Sequence, residues 1–173
     1  SITGNTVFIQ TVGISAHGST PQAGKNAIFS MIRLLNRILE KTRSKNNYLE
    51  FAARYLVDDL CGEKLGIFST DDIIGDMTMN LGMADYNRGQ IPKLSIDLRL
   101  PIQADEKQIY NQLSATAQKE NAAFTIEKAD KSTYMPKEDP RLQKLAEIYQ
   151  KITGKTAAFL SCRGATYAKA FDS

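Results

Sequence analysis

Two neighbouring segments with alternating side chains restrict the fold more than any other feature of the sequence. In residues 77–84 (MTMNLGMA) and in residues 93–100 (KLSIDLRL), methionine, leucine or isoleucine recurs at every second position. A period of two places these apolar side chains on one face of a β-strand. The intervening DYNRGQ favours a turn. The sequence therefore predicts an antiparallel hairpin with its apolar face on a core and an available opposite face that carries Ser95, Asp97 and Arg99.

Amphipathic helices are predicted on both sides of this hairpin along the chain. After GSTPQ, which offers capping serine and threonine residues and a proline suited to the first turn, apolar residues recur at helical spacing. These signals predict a long helix over residues 20–42. A second apolar stripe predicts a helix over residues 105–119 that is capped by Asp105, and a further helix is predicted over residues 47–60.

Segments rich in β-branched and aromatic residues, at positions 6–15 and 122–129, predict one more strand at each end of this region. The predicted order is then strand, helix, helical insert, strand, strand, helix, strand, which is the split βαβ order of a ferredoxin-like sandwich. We therefore expect residues 1–131 to form an α+β domain with an antiparallel sheet and helices on one of its faces. The other face of such a sheet is free for a partner.

A different organisation is predicted near Tyr134. The stretch TYMPKEDP is typical of an extended linker, Asp139 and Pro140 begin a helix, and Gly154 ends it. A short strand, AAFLS, and the glycine turn of CRGATYAKAFDS follow, an arrangement suited to binding an anion or a substrate. Because one strand cannot build a sheet, we expect residues 132–173 to be a truncated α/β piece of a second domain.

Charge and composition argue against several classes of partner. The net charge of +3 is small and the basic residues are scattered, so no nucleic-acid partner is expected. The predicted strands also lack the paired aromatic side chains that stack on RNA bases. No apolar run approaches a membrane span, and the first residues are typical of a strand and not of a signal peptide. Cys61 and Cys162 have neither metal-site nor redox spacing, which predicts a reducing, cytoplasmic location.

Two side chains are candidates for chemistry, and each has an ordinary structural alternative. His17 is the only histidine of the chain. A lone histidine beside a helix start is more often a turn residue than a catalyst, although the small neighbours of His17 leave its ring uncovered. Arg99 fits a solvated cation on a strand face, paired with Asp97 or Asp85. Its planar guanidinium also suits two-point binding of a carboxylate, so the pattern alone leaves both alternatives open.

Three other features favour structural roles. Asp71, Asp72 and Asp76 lack the regular spacing of a calcium loop and are better explained by helix capping and a turn. Cys162 has no second histidine to activate it and is interpreted as a buried thiol. The methionines of residues 77–84 are interpreted as core, or as a flexible interface, and not as a cofactor site.

SAHGSTP followed by a long helix resembles the lid, or dimerisation, domain of the di-zinc aminoacylase and carboxypeptidase superfamily. GEKLGIFSTDDIIGDMTMNLGMADYNRGQIPKLSIDLRLP resembles the lid of the bacterial Xaa-His dipeptidases, the carnosinase-like branch, and GATYAKAF resembles the GGTYAR turn of their catalytic domain. The resemblance covers nearly the whole chain in the same order. It implies that residues 1–131 are the second part of the lid and that residues 132–173 begin the returning catalytic domain.

The resemblance also implies a mechanism. In that family a water that bridges two zinc ions attacks the peptide carbonyl, and a glutamate acts as general base. The resemblance implies that His17 stabilises the resulting oxyanion and that Arg99 holds the C-terminal carboxylate of the substrate. The residues implied to line the carboxylate end of the pocket are Gly164, Ala165, Thr166 and Tyr167. Ala165 and Lys169 depart from the family pattern, which usually has glycine and arginine there.

The zinc ligands are expected to lie outside this sequence, because its single histidine stands in no His-x-Asp pattern. The intact protein is then expected to be a zinc dipeptidase whose partners are a dipeptide substrate and the missing catalytic domain, and a homodimer is compatible with it. The chain alone is expected to be inactive. The alternative is a non-enzymatic ferredoxin-like module that binds small molecules or mediates dimers.

Overall fold

The computed structural model describes residues 2–3, 6–130 and 132–161. It combines α-helices with short antiparallel strand pairs, which places the protein in the predicted α+β class. In chain order the elements are β1 (Ile2–Thr3), β2 (Thr6–Val7), a 3₁₀ turn (Pro21–Ala23), α1 (Ala27–Thr42), α2 (Asn47–Tyr55), β3 (Thr70–Asp71), β4 (Gly75–Asp76), β5 (Thr78–Asp85), β6 (Lys93–Arg99), α3 (Glu106–Lys119) and α4 (Pro140–Thr153). None of the described helices is long and apolar enough to cross a bilayer.

The hairpin of β5 and β6 is the longest strand pair of the described structure, and it confirms the prediction from the alternating segments. Its register places Thr78 opposite Arg99 and Asn80 opposite Asp97. Residues opposite each other in an antiparallel pair share a face of the sheet. The side of the hairpin that points away from the core is called the polar face below, and it consists of Thr78, Asn80, Ser95, Asp97 and Arg99.

A bulge between Leu81 and Met83 reverses the direction of one residue that the alternation assigns to the core. Leu81 pairs with Ile96 on the apolar face, whereas Met83 pairs with Ser95 on the polar face. An extra residue in one strand turns the side chains that follow it to the opposite face. Met83 is accordingly 60% exposed, while Met79 is almost completely buried. The prediction of a common face is therefore wrong for Met83.

The core lies between the apolar face of the hairpin and the helices α1, α2 and α3. Its buried apolar residues are Phe29, Ile32, Ala52, Leu56, Val57, Leu65, Ile67, Met77, Met79, Leu81, Ile109 and Leu113. Complete burial of a large apolar side chain contributes about 1.5–3 kcal/mol relative to leaving it exposed. The polar face therefore rests on a well-packed support.

The start of α1 differs from the prediction. The helix begins at Ala27, and the side-chain oxygen of Asn26 caps it by accepting a hydrogen bond from the N–H of Ile28 at 2.9 Å. Residues 20–26 are not α-helical, because the N–H and carbonyl groups of Lys25 pair with those of Ile14 at 2.9 Å in each direction. The predicted helix over residues 20–42 is therefore correct only from residue 27 onward.

Two further helices lie close to their predicted positions. α3 occupies Glu106–Lys119, and Asp105 caps it by accepting a hydrogen bond from the N–H of Gln108 at 2.9 Å. α2 ends at Tyr55 and is shorter than predicted. Asp59 then organises the following loop, because its carboxylate accepts hydrogen bonds from four successive backbone N–H groups.

The outer strands predicted for a ferredoxin-like sheet are not formed in the described residues. Within residues 6–15 only Thr6–Val7 is a strand, which pairs with Ile2–Thr3, and residues 122–129 contain none. A strand is stabilised by ladder hydrogen bonds and cross-strand side-chain pairs, so propensity without a partner edge is insufficient. The described structure therefore has a two-stranded sheet on its core and does not show the four-stranded arrangement.

The last described part of the chain contains α4. Asp139 caps its start, and Gly154 ends it in the left-handed conformation with φ of 70°, both as predicted. No side chain of α4 is buried, and residues 157–161 form no strand. Cys162 and the predicted glycine turn at residues 164–167 lie outside the described residues.

Candidate functional site

His17 lies in an exposed turn between Ile14 and the 3₁₀ turn. The N–H of Thr20 donates to the carbonyl of His17 at 2.9 Å and closes this turn, whose base is the paired Ile14 and Lys25. Glycine is needed at position 24, because a β-carbon there would lie 2.5 Å from the carbonyl oxygen of Ile14. The turn therefore has a defined backbone, and its imidazole is uncovered in the described structure, as the small neighbours predict.

Ser19 orients the imidazole of His17. The backbone N–H of Ser19 donates to Nδ1 at 3.2 Å, and the Ser19 hydroxyl oxygen lies 2.8 Å from the same nitrogen. A ring nitrogen that accepts from a backbone N–H carries no proton, so the neutral ring carries its proton on Nε2. Among the residues that the structure describes, Nε2 has no hydrogen-bond partner. The turn thus presents one N–H donor to a bound group.

Arg99 is paired with Asp97 on the polar face. Nη2 of Arg99 lies 2.8 Å from Oδ2 of Asp97, and the two side chains are 34% and 39% exposed. The other predicted pairing does not form, because Asp85 lies opposite Lys93 at the other end of the hairpin from Arg99. Nε of Arg99 is buried and lacks a hydrogen-bond partner within the described ranges. A buried donor without an acceptor is costly, so this N–H favours an arrangement of the intact protein in which an acceptor reaches it.

The turn that carries His17 contacts the polar face beside Asp97. A β-carbon at Gly18 would lie 2.8 Å from Oδ2 of Asp97. The carbonyl oxygen of Gly18 also accepts a long hydrogen bond from the hydroxyl of Thr78, at 3.4 Å, and Thr78 lies opposite Arg99 in the hairpin. The fold therefore brings the segments of the two candidate residues, which are distant in sequence, to one surface.

Asn26 fixes the base of the turn to the hairpin, a role that the sequence pattern does not predict. Its amide nitrogen donates to the carbonyl of Leu81 at 2.8 Å and lies 3.4 Å from the side-chain oxygen of Asn80. A cavity of about 310 Å³ lies beside these groups, between β5 and Ile14. The missed signal is the position of Asn26 directly before the apolar stripe of α1, which is typical of a helix cap.

The residues that the structure describes do not form a zinc site. Among them, no group of three or more histidine, cysteine, aspartate or glutamate side chains could hold a metal ion. Asp71 accepts backbone hydrogen bonds from Ile73, Ile74 and Gln103. Desolvation raises the pKa of its carboxyl, but these hydrogen bonds outweigh desolvation and lower the pKa overall. Asp71 is thus an ionised turn residue, and the donor set does not fit the zinc ions that the resemblance implies.

Comparison with known proteins places the chain in a family. A sequence profile described as Peptidase dimerisation domain matches residues 4–125, which is most of the chain. The chain belongs to this family. The match confirms the family resemblance predicted from SAHGSTP and from the hairpin segments.

The similar relatives are dipeptidases by name. The Beta-Ala-Xaa dipeptidase of Lactobacillus delbrueckii subsp. lactis is 32% identical over 168 residues, which are 95% of this chain and 34% of that protein. A protein of Staphylococcus saprophyticus subsp. saprophyticus, provisionally named a dipeptidase, is 31% identical over 169 residues, 96% of this chain and 35% of its own length. A Bacillus subtilis protein with a similarly provisional name is 28% identical over 163 residues, 94% of this chain and 34% of that protein. The chain spans about a third of the length of these relatives.

Proposed function

We propose that this chain is the second part of the lid and the start of the returning catalytic domain of a longer dipeptidase, and that the His17 turn and the polar face contact the substrate. The observation that carries the proposal is the close approach of Gly18 to Asp97. It brings the turn of His17 next to the ion pair of Arg99 and Asp97. The substrate is a dipeptide with a free C-terminal carboxylate. The name of the Lactobacillus relative makes dipeptides that begin with β-alanine the first to test.

His17 acts in this proposal as a hydrogen-bond donor to the reacting carbonyl. Its Nε2–H points at an oxygen on which negative charge develops when a nucleophile adds to the peptide bond. Such a donor stabilises the transition state more than the ground state and therefore acts mainly on kcat. Since His17 is exposed in the described structure, the rest of the intact protein has to cover it, and exclusion of water then strengthens the interaction.

Arg99 binds the C-terminal carboxylate of the substrate in this proposal. Its Nη2 contacts Asp97, and its Nε is a donor with no acceptor in the described part of the chain. A guanidinium has five N–H donors, so it can hold Asp97 and a substrate carboxylate at the same time. The residues proposed to complete the carboxylate end of the pocket are Gly164, Ala165, Thr166 and Tyr167.

The proposed architecture of the intact protein has two parts in this chain. Residues 1–131 complete a ferredoxin-like lid, and residues 132–173 belong to the catalytic domain. α4 supports the division, because Leu145 and Ile152 are 61% and 77% exposed and a catalytic domain would cover them. Zinc dependence is part of the proposal, with ligands contributed by sequence beyond this chain. A cytoplasmic location and a homodimer complete it.

Hydrolysis of defined peptides by the intact protein tests the proposal. We expect cleavage of dipeptides that have a free carboxylate and much slower cleavage of their C-terminal amides. This chain alone is expected to cleave neither and to retain no stoichiometric zinc after dialysis, because a zinc site needs converging ligands at about 2.0–2.3 Å. The proposal is wrong if the zinc-supplemented intact protein cleaves no dipeptide, or if it cleaves amides as fast as acids.

A second candidate is a non-enzymatic module that mediates dimers, since the family description names dimerisation. Val7 and Val12, 61% and 84% exposed, favour it, because exposed apolar side chains suit association with another chain. Sedimentation equilibrium of the intact protein and of its Val12→Ser variant measures this association. If the intact protein cleaves no peptide and forms a dimer that Val12→Ser weakens, the non-enzymatic module is the better proposal.

A further inference from the structure

We propose that Asp97 is a positioning residue that connects the two substrate-contacting residues. It holds the guanidinium of Arg99 in one orientation. It also determines how closely the turn that carries His17 approaches the hairpin. The inference rests on the proposed function, because it assigns to Asp97 the geometry with which Arg99 recognises a substrate carboxylate. Asp97 itself needs no contact with the substrate.

One carboxylate oxygen makes both connections. Oδ2 of Asp97 accepts the hydrogen bond from Nη2 of Arg99 at 2.8 Å. The same oxygen lies 2.8 Å from the point that a β-carbon at Gly18 would occupy. Real β-carbons do not approach an oxygen so closely, so any side chain at position 18 displaces the carboxylate of Asp97. Gly18 thus leaves Asp97 the space to reach Arg99, and the positions of the turn and the guanidinium depend on each other.

Asp97 also changes the kind of anion that Arg99 can bind. The pair is neutral as a whole and attracts a generic anion weakly. Asp97 occupies only Nη2, so the guanidinium keeps further N–H donors, and among them Nε is buried and has no acceptor among the described residues. A carboxylate aligned with the guanidinium donors that Asp97 leaves free is recognised by direction and not by charge alone. The preference for a free C-terminal carboxylate therefore depends on Asp97.

Steady-state kinetics of the intact protein on a dipeptide and on its C-terminal amide test the inference. Asp97→Ala frees the guanidinium, and the KM of the dipeptide is expected to rise about tenfold, as for loss of one oriented, charge-assisted hydrogen bond. The value of kcat is expected to stay within about twofold. Asp97→Asn retains an oxygen acceptor in the same place and is expected to keep KM within about threefold of the wild-type value. In an Arg99→Lys background, Asp97→Ala is expected to cause no further loss of preference for the acid.

Two glycine variants separate this geometry from a general disturbance of the hairpin. Gly18→Ala pushes the Asp97 carboxylate away, so its dipeptide KM is expected to rise in the same direction as that of Asp97→Ala. Gly82→Ala is the matched control on the same hairpin, since a β-carbon there would meet its nearest neighbour, in Asn80, at an ordinary 3.8 Å. The control is expected to leave the acid-to-amide preference unchanged.

The outcomes that overturn the inference differ from those that overturn the proposed function. If Arg99→Lys abolishes the preference for the acid but Asp97→Ala retains it, Asp97 does not position Arg99 and only the inference is wrong. Equal losses on acid and amide with a lower Tm assign Asp97 a purely structural role. If the wild-type protein cleaves no dipeptide, the proposed function is wrong. A crystal structure of the intact Asp97→Ala variant then decides the inference, because unmoved Arg99 and His17 contradict it.

Discussion

Helices α1 and α4 have similar sequence patterns and different surroundings. Each carries an apolar stripe, and each is capped by a side chain, Asn26 in α1 and Asp139 in α4. α1 buries Phe29 and Ile32 in the core, whereas α4 buries no side chain at all. An amphipathic pattern thus predicts a helix with one face to be covered, but it does not identify what covers that face.

The difference follows from what each helix meets. α1 packs on α2 and on β5, which also carries part of the polar face. α4 follows segment 132–139, which contains no helix or strand, and makes no extensive contact with another element of the described structure. We therefore interpret α1 as the support of the candidate site and α4 as an element whose core lies elsewhere in the intact protein.

The largest expected effect tests this comparison directly. In this chain, Phe29→Ala is expected to lower the free energy of unfolding by about 3–5 kcal/mol, the cost of truncating a buried aromatic side chain. Leu145→Ala, in the exposed stripe of α4, is expected to change it by at most about 0.5 kcal/mol. Urea denaturation measures both. Similar losses for the two variants would mean that α4 is packed in solution and that the comparison is wrong.

The next effect concerns the turn supported by α1. In the intact protein, His17→Ala is expected to lower kcat by about 10²–10³, or about 2.7–4 kcal/mol of transition-state stabilisation, as for loss of one oxyanion donor. KM is expected to move much less, and Tm is expected to be unchanged because the ring is exposed. His17→Gln retains an N–H donor and serves as the partial-rescue control. If the kcat of His17→Ala stays within a few-fold of the wild-type value, His17 is only a turn residue. If the variant loses bound zinc together with activity, His17 is a zinc ligand.

A smaller effect is expected on the polar face. Arg99→Lys keeps the positive charge but loses the planar arrangement of donors. The KM of dipeptides with a free carboxylate is expected to rise by about tenfold, whereas amidated dipeptides are expected to be nearly indifferent. Parallel kinetics on the two substrate types provide the measurement. If Arg99→Lys raises the KM of the dipeptides and of their amides equally, Arg99 does not bind the substrate carboxylate.

The smallest effect belongs to the cap of α4. A hydrogen bond from the Arg141 side chain, together with its backbone N–H, lowers the pKa of Asp139 to about 2. Since the unfolded value is about 3.9, the cap stabilises α4 fully above about pH 4 and is lost as the pH falls through 2. An NMR titration of the Asp139 carboxyl carbon is expected to show a midpoint near 2, and Arg141→Ala is expected to raise it. A wild-type midpoint at the unfolded value contradicts the pairing.

Local signals predict the parts of the fold in which neighbours in sequence supply the stabilising contacts. The hairpin, the Asp105 cap of α3 and the Asp139 and Gly154 ends of α4 are of this kind. The start of α1 is not, because Lys25 pairs with Ile14 across the turn. The strands expected at residues 6–15 and 122–129 also depend on a distant partner edge, which propensity does not provide.

The candidate site divides in the same way. The exposed ring of His17 and the pairing of Arg99 with Asp97 follow from neighbours along the chain. The close approach of Gly18 to Asp97 does not, because it joins a loop to a strand far away in sequence and depends on hairpin register. The catalytic role of His17 and the substrate-binding roles of Arg99 and of residues 164–167 stay predictions.

The bulge in β5 makes the methionines of the hairpin chemically unequal. Met77 and Met79 are buried in the core, whereas Met83 is 60% exposed. Peroxide converts accessible methionine to a polar sulfoxide, so Met83 should be modified long before its neighbours in sequence. Oxidation of Met77 or Met79 would then report opening of the core. The ratio of oxidised Met77 and Met79 peptides to the oxidised Met83 peptide would measure how often the hairpin separates from its helices.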